Sequence, residues 1–219
     1  NVKNDNVVEQ IGNILITGAS FAYDGNTWFS KVCKALGVKG YNKSVSGESI
    51  KNTAVKMHNG TLYSKAEFED FDTLLIMHVH NEDVCDETDL EENKNYAVSI
   101  SMSYSQAYDY VLKKYAAECY AAKDDTTSKW YGTKSGKPFK VVCMTHWHDA
   151  RTIFNQSIRK LVNKWGIGLV ELDKEIGFSK EVLHPVTGQQ ISVIYAHVKE
   201  TVEQYRTVID LQEFNKNVV

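Results

Sequence analysis

The sequence predicts an α/β protein, a three-layer α/β/α sandwich around a mainly parallel sheet of five strands. Two observations carry that reading. Short, nearly continuous apolar runs alternate with longer stretches of helical periodicity, and glycines stand where strands and helices should stop. Strands apolar along their whole length are buried on both faces, as in parallel sheets covered by helices. Asn13–Thr17 reads as the first strand, ended by Gly18. Trp28, Phe29, Val32, Cys33 and Leu36 then share one helix face, with Gly37 placed to close it. Tyr41–Val45 reads as a second strand, and Asp72–Val79 as a third with Leu74, Leu75, Ile76 and Met77 at its centre. A long helix carries Tyr104, Ala107, Tyr108, Val111, Leu112, Tyr115, Ala116 and Cys119 at helical spacing. Phe139–Met144 is the fourth strand; a helix through Phe154, Ile158, Leu161, Val162 and Trp165 ends at Gly166. Ile167–Leu172 is the fifth strand.

The length of 219 residues fits one domain spanning 1–219. Such a domain should bury roughly 70% of its unfolded surface. Lys and Arg number 25 against 28 Asp and Glu, a net charge of −3 that lacks the positive footprint of a nucleic-acid partner. The apolar runs are too short to span a bilayer. The chain opens on Asn1 with neither initiator Met nor signal segment, so a processed or engineered start is expected, and export to a periplasm or cell surface stays open. Cys33, Cys85, Cys119 and Cys143 form no CxxC pair and are expected to be free thiols. Two polar stretches read as solvated excursions, the acidic Glu82–Glu92 and the Gly-containing Lys123–Lys137 with Trp130 and Tyr131.

Ligands of open α/β sheets bind outside the carboxyl ends of the strands, so reactive groups there matter most. Gly18-Ala19-Ser20 follows the first strand; Ser20 is either a nucleophile whose own amide can stabilise an oxyanion or an ordinary helix cap. Ser44-Val45-Ser46-Gly47 follows the second, where Gly47 either aims an amide into a pocket or makes a plain turn. His78-Val79-His80-Asn81 follows the third, and the Asn81 amide is either a third donor or a solvated loop side chain.

In that order the three segments resemble the blocks of the SGNH hydrolases, the GDSL esterase and lipase group, over roughly Ile14 to Pro185. The pattern is similar to a branch from Bacteroides-type gut bacteria. The resemblance implies an SGNH/flavodoxin-like fold, Ser20 as nucleophile, and an oxyanion hole of the Ser20 and Gly47 amides with the Asn81 side chain. Ala19 stands where the family carries an acid, and Val79 where it carries a glycine. The family's closing Asp-x-x-His is matched by Glu181-Val182-Leu183-His184, implying His184 as general base and Glu181 as its orienting acid. After Gly188 the chain alternates like a strand, through Ile191, Val193, Tyr195 and His197, and Tyr205–Val219 holds no histidine.

Three functions compete. The first is a serine esterase deacylating, and by analogy deacetylating, a carbohydrate or other small ester without a cofactor. The second is a metal-dependent hydrolase using His78-x-His80 and His146-x-His148, with no complete ligand set visible. The third is an SGNH-fold binding module lacking its general base. His80, His146 and His148 are candidate substrate-pocket residues in any of these.

Overall fold

The strands β1 (Asn13–Gly18), β2 (Gly40–Asn42), β3 (Phe71–Met77), β4 (Val141–Met144) and β5 (Gly168–Val170) form one sheet in the order β2-β1-β3-β4-β5. Every neighbouring pair is parallel. The computed structural model describes residues 12–24, 28–78, 80, 82–86, 96–146 and 151–175. Between the strands lie α1 (Trp28–Leu36), α2 (Ile50–His58), α3 (Lys65–Asp70), α4 (Tyr104–Ala121) and α5 (Thr152–Trp165), and α6 (Leu172–Glu175) follows β5. The strand order is flavodoxin-like. The chain steps outward from β1 to β2, then crosses back over β1 to reach β3. Right-handed crossovers in these opposed directions put α1 on one face of the sheet and α2 and α4 on the other. The segments leaving β1 and β3 therefore diverge, which opens a crevice at their carboxyl ends.

Burial explains why these runs are strands. Ile14, Leu15, Ile16 and Thr17 of β1 are all buried, as are Leu74, Leu75, Ile76 and Met77 of β3 and Val141 to Met144 of β4. The helices bury stripes at helical spacing: Ala107, Tyr108, Val111, Leu112, Tyr115 and Cys119 on α4, and Phe154, Ile158, Leu161 and Val162 on α5. Ser103 caps α4 through a reciprocal pair with Gln106, and Gly166 ends α5 in the left-handed region at φ 61°. All four cysteines are buried, and no disulfide joins them. Burial pushes the Cys33 and Cys119 thiols up to about 11 and Cys143 to about 12.

Several elements differ from the sequence expectation. The second strand closes at Asn42, whose side-chain oxygen takes the Ser44 N–H at 2.9 Å. Lys43 and Val45 nevertheless still donate to the carbonyls of Ile16 and Gly18 at 2.8 and 3.1 Å. The fifth strand stops at Val170, because Glu171 and Asp173 turn to Arg159, at 2.6 and 2.7 Å. Helices α2 and α3 are additional. Both begin with a capping box, Ser49 with Asn52 and Ser64 with Glu67, but α2 buries only Ile50, Thr53, Ala54 and Met57, and α3 buries nothing. Their apolar stripes are too thin to register as helical periodicity.

The two excursions are partly anchored. Glu82 and Asp83 are exposed as expected, yet Val84 and Cys85 are buried, and the Val84 N–H donates to Ser157 Oγ at 3.1 Å. In the second excursion Lys137 is 2% exposed. Its ammonium donates to the Phe68 carbonyl and, at 2.6 Å, to the Phe71 carbonyl. It also lies 4.1 Å from the Phe68 ring centre and 3.8 Å from that of Phe71. Gly136 makes this possible: at φ 76°, a Cβ there would meet the Cys119 carbonyl oxygen at 2.1 Å. Burial pulls the Lys137 pKa down to about 8. Removing the ammonium leaves two carbonyls unpaired. Lys137→Met should therefore lower stability by about 2 kcal/mol, read as a lower urea midpoint at unchanged slope.

Candidate functional site

Four loops meet at the carboxyl edge of the sheet, and their approach is set at Gly18. An added Cβ there would lie 2.6 Å from the Met77 carbonyl oxygen, 2.6 Å from the Ala22 Cβ and 3.2 Å from Ser44 Oγ. Only glycine lets the ends of β1 and β3 and the loop after β2 come this close. Beyond it the chain turns at once. Ala22 N–H closes a β-turn on the Ala19 carbonyl at 3.0 Å, and Ser20, in the first central position, is exposed. The helix expected directly after Ser20 starts only at Trp28, so Ser20 is not the cap of α1.

The loop after β2 is tied to this turn. Val45 N–H donates to the Gly18 carbonyl at 3.1 Å, and Glu48 N–H closes a turn on the Val45 carbonyl at 3.2 Å. Gly47 occupies the third position of that turn at φ 82°, as in a type II turn, which demands glycine there. Nothing lies within 4 Å of where its Cβ would be. Within the described residues the Gly47 N–H makes no hydrogen bond, and the residue is exposed. Its turn is joined to the end of β1 by the Val45–Gly18 bond.

After β3 the two histidines part company. His78 is 1% exposed, and its Nε2 lies 2.8 Å from Thr53 Oγ1, itself 2.6 Å from Thr17 Oγ1. Its Nδ1 has no partner among the described residues, so the tautomer with the proton on Nε2 leaves only a lone pair unsatisfied there. Burial, with His80 and Lys56 adding repulsion, drives its pKa down to about 3. His78 is therefore a neutral structural group fastening β1 and β3 to α2. His80 is half-buried. Its ring lies 5.1 Å, centre to centre, from that of Tyr104. Lys51 Nζ sits 4.4 Å from the same Tyr104 ring. Desolvation lowers the His80 pKa, with Arg151 and Lys51 acting the same way.

After β4, His146 is buried against Phe21, the neighbour of Ser20, with ring centres 5.3 Å apart and edge-on. Asn155 clamps its peptide from both sides, accepting from the His146 N–H at 2.8 Å and donating to its carbonyl at 2.9 Å. Thr145 donates to Asp173 at 2.7 Å, and Arg159 grips both oxygens of that carboxylate at 2.8 and 2.7 Å.

Of the residues singled out in the sequence, the structure thus gathers Ser20, Gly47, His80 and His146 at the carboxyl edge. Asn81, His148, Glu181 and His184 lie outside the described residues, as does the alternating stretch after Gly188. No group of three or more His, Cys, Asp or Glu side chains able to hold a metal occurs among the described residues. Within His78-x-His80 the first ring bonds to Thr53 and the second packs against Tyr104. Sequence reasoning missed Thr53, Tyr104 and Asn155. Only the capping boxes ahead of the first two gave a local signal, and Asn155 sits unmarked inside α5.

A family model described as "Domain of unknown function (DUF5040)" matches residues 12–208. No curated protein matches the chain. Among solved structures, the chain is similar to TesA, at TM-score 0.48 and 11% identity, over 90% of this chain and 96% of that one. It is similar to a candidate SGNH hydrolase from Slackia heliotrinireducens, at TM-score 0.48 and 12% identity, over 90% and 98%. A third is a member of the lipolytic protein G-D-S-L family from Veillonella parvula DSM 2008, at TM-score 0.45 and 13% identity, over 91% and 98%.

The buried His78 makes a pH prediction. Its folded pKa of about 3 lies below the value near 6.5 of an unfolded chain, so protons favour unfolding between the two. Stability should be full above pH 6.5 and decline as the pH falls toward 3. His78→Gln should weaken the fold at pH 7 but flatten this decline, measured as urea midpoints at pH 7 and 4.5.

Proposed function

The chain belongs to the DUF5040 family, and we propose that it is a serine ester hydrolase of the SGNH type with Ser20 as nucleophile. One observation carries the reading: an exposed serine in a tight turn at the end of β1, tied by the Val45–Gly18 bond to a glycine turn whose amide is unengaged among the described residues. A nucleophile beside an available N–H donor at the switch point of an open sheet suits acyl transfer. In this reading Ser20 Oγ attacks the carbonyl carbon of an ester while His184, oriented by Glu181, takes its proton. The amides of Ser20 and Gly47 and the Asn81 side chain stabilise the negative oxygen. The intermediate collapses, the alcohol leaves with the proton from His184, and water then releases the acid from Ser20. The substrate is an acylated carbohydrate or small ester, with acetyl as the acyl group, and His146 and His148 border its pocket. No cofactor enters these steps.

Small acetyl esters test this. Ser20→Ala and His184→Ala should each cut kcat roughly a thousandfold or more, because the two act as a unit. Glu181→Gln should cut it less while leaving thermal stability unchanged. A fluorophosphonate should label Ser20 alone. Undiminished turnover in Ser20→Ala would overturn the proposal. Activity lost to a chelator and restored by zinc would support the metal-dependent reading. An acetylated oligosaccharide bound but not hydrolysed by the wild-type chain would mark a binding module.

A further inference from the structure

We infer that His146 is a positioning residue: its ring, carried on a peptide clamped by Asn155, braces Phe21 and through it the turn that bears Ser20. The inference rests on the proposed role of Ser20 as nucleophile. The bond that closes this turn, from Ala22 N–H to the Ala19 carbonyl at 3.0 Å, spans Ser20 and Phe21 and touches neither. The two central residues are therefore held from outside the turn. Asn42 of β2 donates to the Ala22 carbonyl at 2.7 Å, and Trp28 Nε1 of α1 donates to the Phe21 carbonyl at 2.6 Å. The Met77 carbonyl of β3 takes the Ala19 N–H at 3.4 Å. These bonds hold backbone. His146 adds a hold on the Phe21 side chain, and it does so from beyond β3. The ring centres lie 5.3 Å apart with the planes at 74°, an edge-on contact. Because β3 stands between β1 and β4 in the sheet, this contact joins the ends of two strands about 10 Å apart.

A brace must itself be stiff. Buried Asn155 takes the His146 N–H at 2.8 Å and donates to its carbonyl at 2.9 Å, so only the side-chain torsions of His146 remain to move. Arg159 steadies Asn155 in turn, donating to its carbonyl at 3.1 Å while it grips Asp173. On the strand side Thr145 N–H is fixed to the Val170 carbonyl at 3.0 Å. At 5% exposure His146 offers a substrate little surface, whereas its ring meets that of Phe21 directly. A run of contacts thus leads from α5, through the peptide and ring of His146, to the residue next to the nucleophile.

Two variants and one measurement on the wild-type chain test this. His146→Ala removes the ring and leaves the clamped peptide; His146→Phe restores a ring that can meet Phe21 but carries no nitrogen. With a small acetyl ester, His146→Ala should lower kcat about tenfold or more with KM changed less than about twofold, since a misplaced nucleophile weakens the transition state more than binding. His146→Phe should recover most of the loss and keep the wild-type pH–rate profile. In ¹H–¹⁵N spectra the Ser20 and Phe21 amides should move in His146→Ala and return in His146→Phe. In the wild-type chain the ring protons of His146 and Phe21 should show a nuclear Overhauser contact. The absence of that contact, or unmoved Ser20 and Phe21 amides in a folded His146→Ala, overturns the inference whatever the activity. A His146→Phe as slow as His146→Ala overturns it too, because the imidazole nitrogens would then act in the reaction themselves. Turnover surviving in Ser20→Ala would overturn the esterase reading instead, and the spectra would still decide whether His146 braces the turn.

Discussion

The carboxyl edge of this sheet depends on one absence of atoms. At Gly18 the Met77 carbonyl, the Ala22 methyl and the Ser44 hydroxyl occupy the space a side chain would take. Any larger residue would push the ends of β1 and β3 apart and break the Ala19–Met77 and Val45–Gly18 backbone bonds that join three loops. The exposed serine turn, the glycine turn and the histidine pair all hang from this contact. Their placement follows from a steric constraint at a residue without a side chain.

Around that contact, polar side chains act chiefly as fasteners. Thr17, Thr53 and His78 form a buried chain linking two strands to α2. Asn42 joins β2 to the serine turn through the Ala22 carbonyl, at 2.7 Å. Asn155 fixes the peptide of His146, and Arg159 with Asp173 secures Thr145 at the foot of the same loop. Buried polar groups hold position strongly only when satisfied. Here the satisfied ones sit directly beneath the loops that carry the reactive candidates.

Much of the architecture was legible because strand burial is written in continuous apolar runs. Ile14 to Thr17 and Leu74 to Met77 announce themselves, and Gly37 and Gly166 mark helix ends by the positive φ they adopt. Helices α2 and α3 were not legible, since a helix that buries little leaves almost no hydrophobic period. Of the candidate site, the strand-end positions of Ser20 and Gly47 were legible. Ser20 and Gly47 stood at strand ends in the right order, but a serine ahead of a helix pattern is indistinguishable from a cap until the real helix start is seen. His78 and His80 looked like a matched pair. Their separate neighbours, Thr53 on α2 and Tyr104 on α4, are distant in sequence and belong to tertiary packing that spacing cannot convey. Lys137 misled for the same reason: a polar stretch hid a cation enclosed by Phe68 and Phe71.

The four buried cysteines bear on where such a chain can work. With thiols held near 11 at Cys33 and Cys119 and near 12 at Cys143, only about one in ten thousand of the first two, and fewer of the third, is a thiolate at neutral pH. No disulfide joins them, so no cross-link stands to be lost under reducing conditions. None is readily oxidised from its buried position. The thiols serve this fold as buried packing groups.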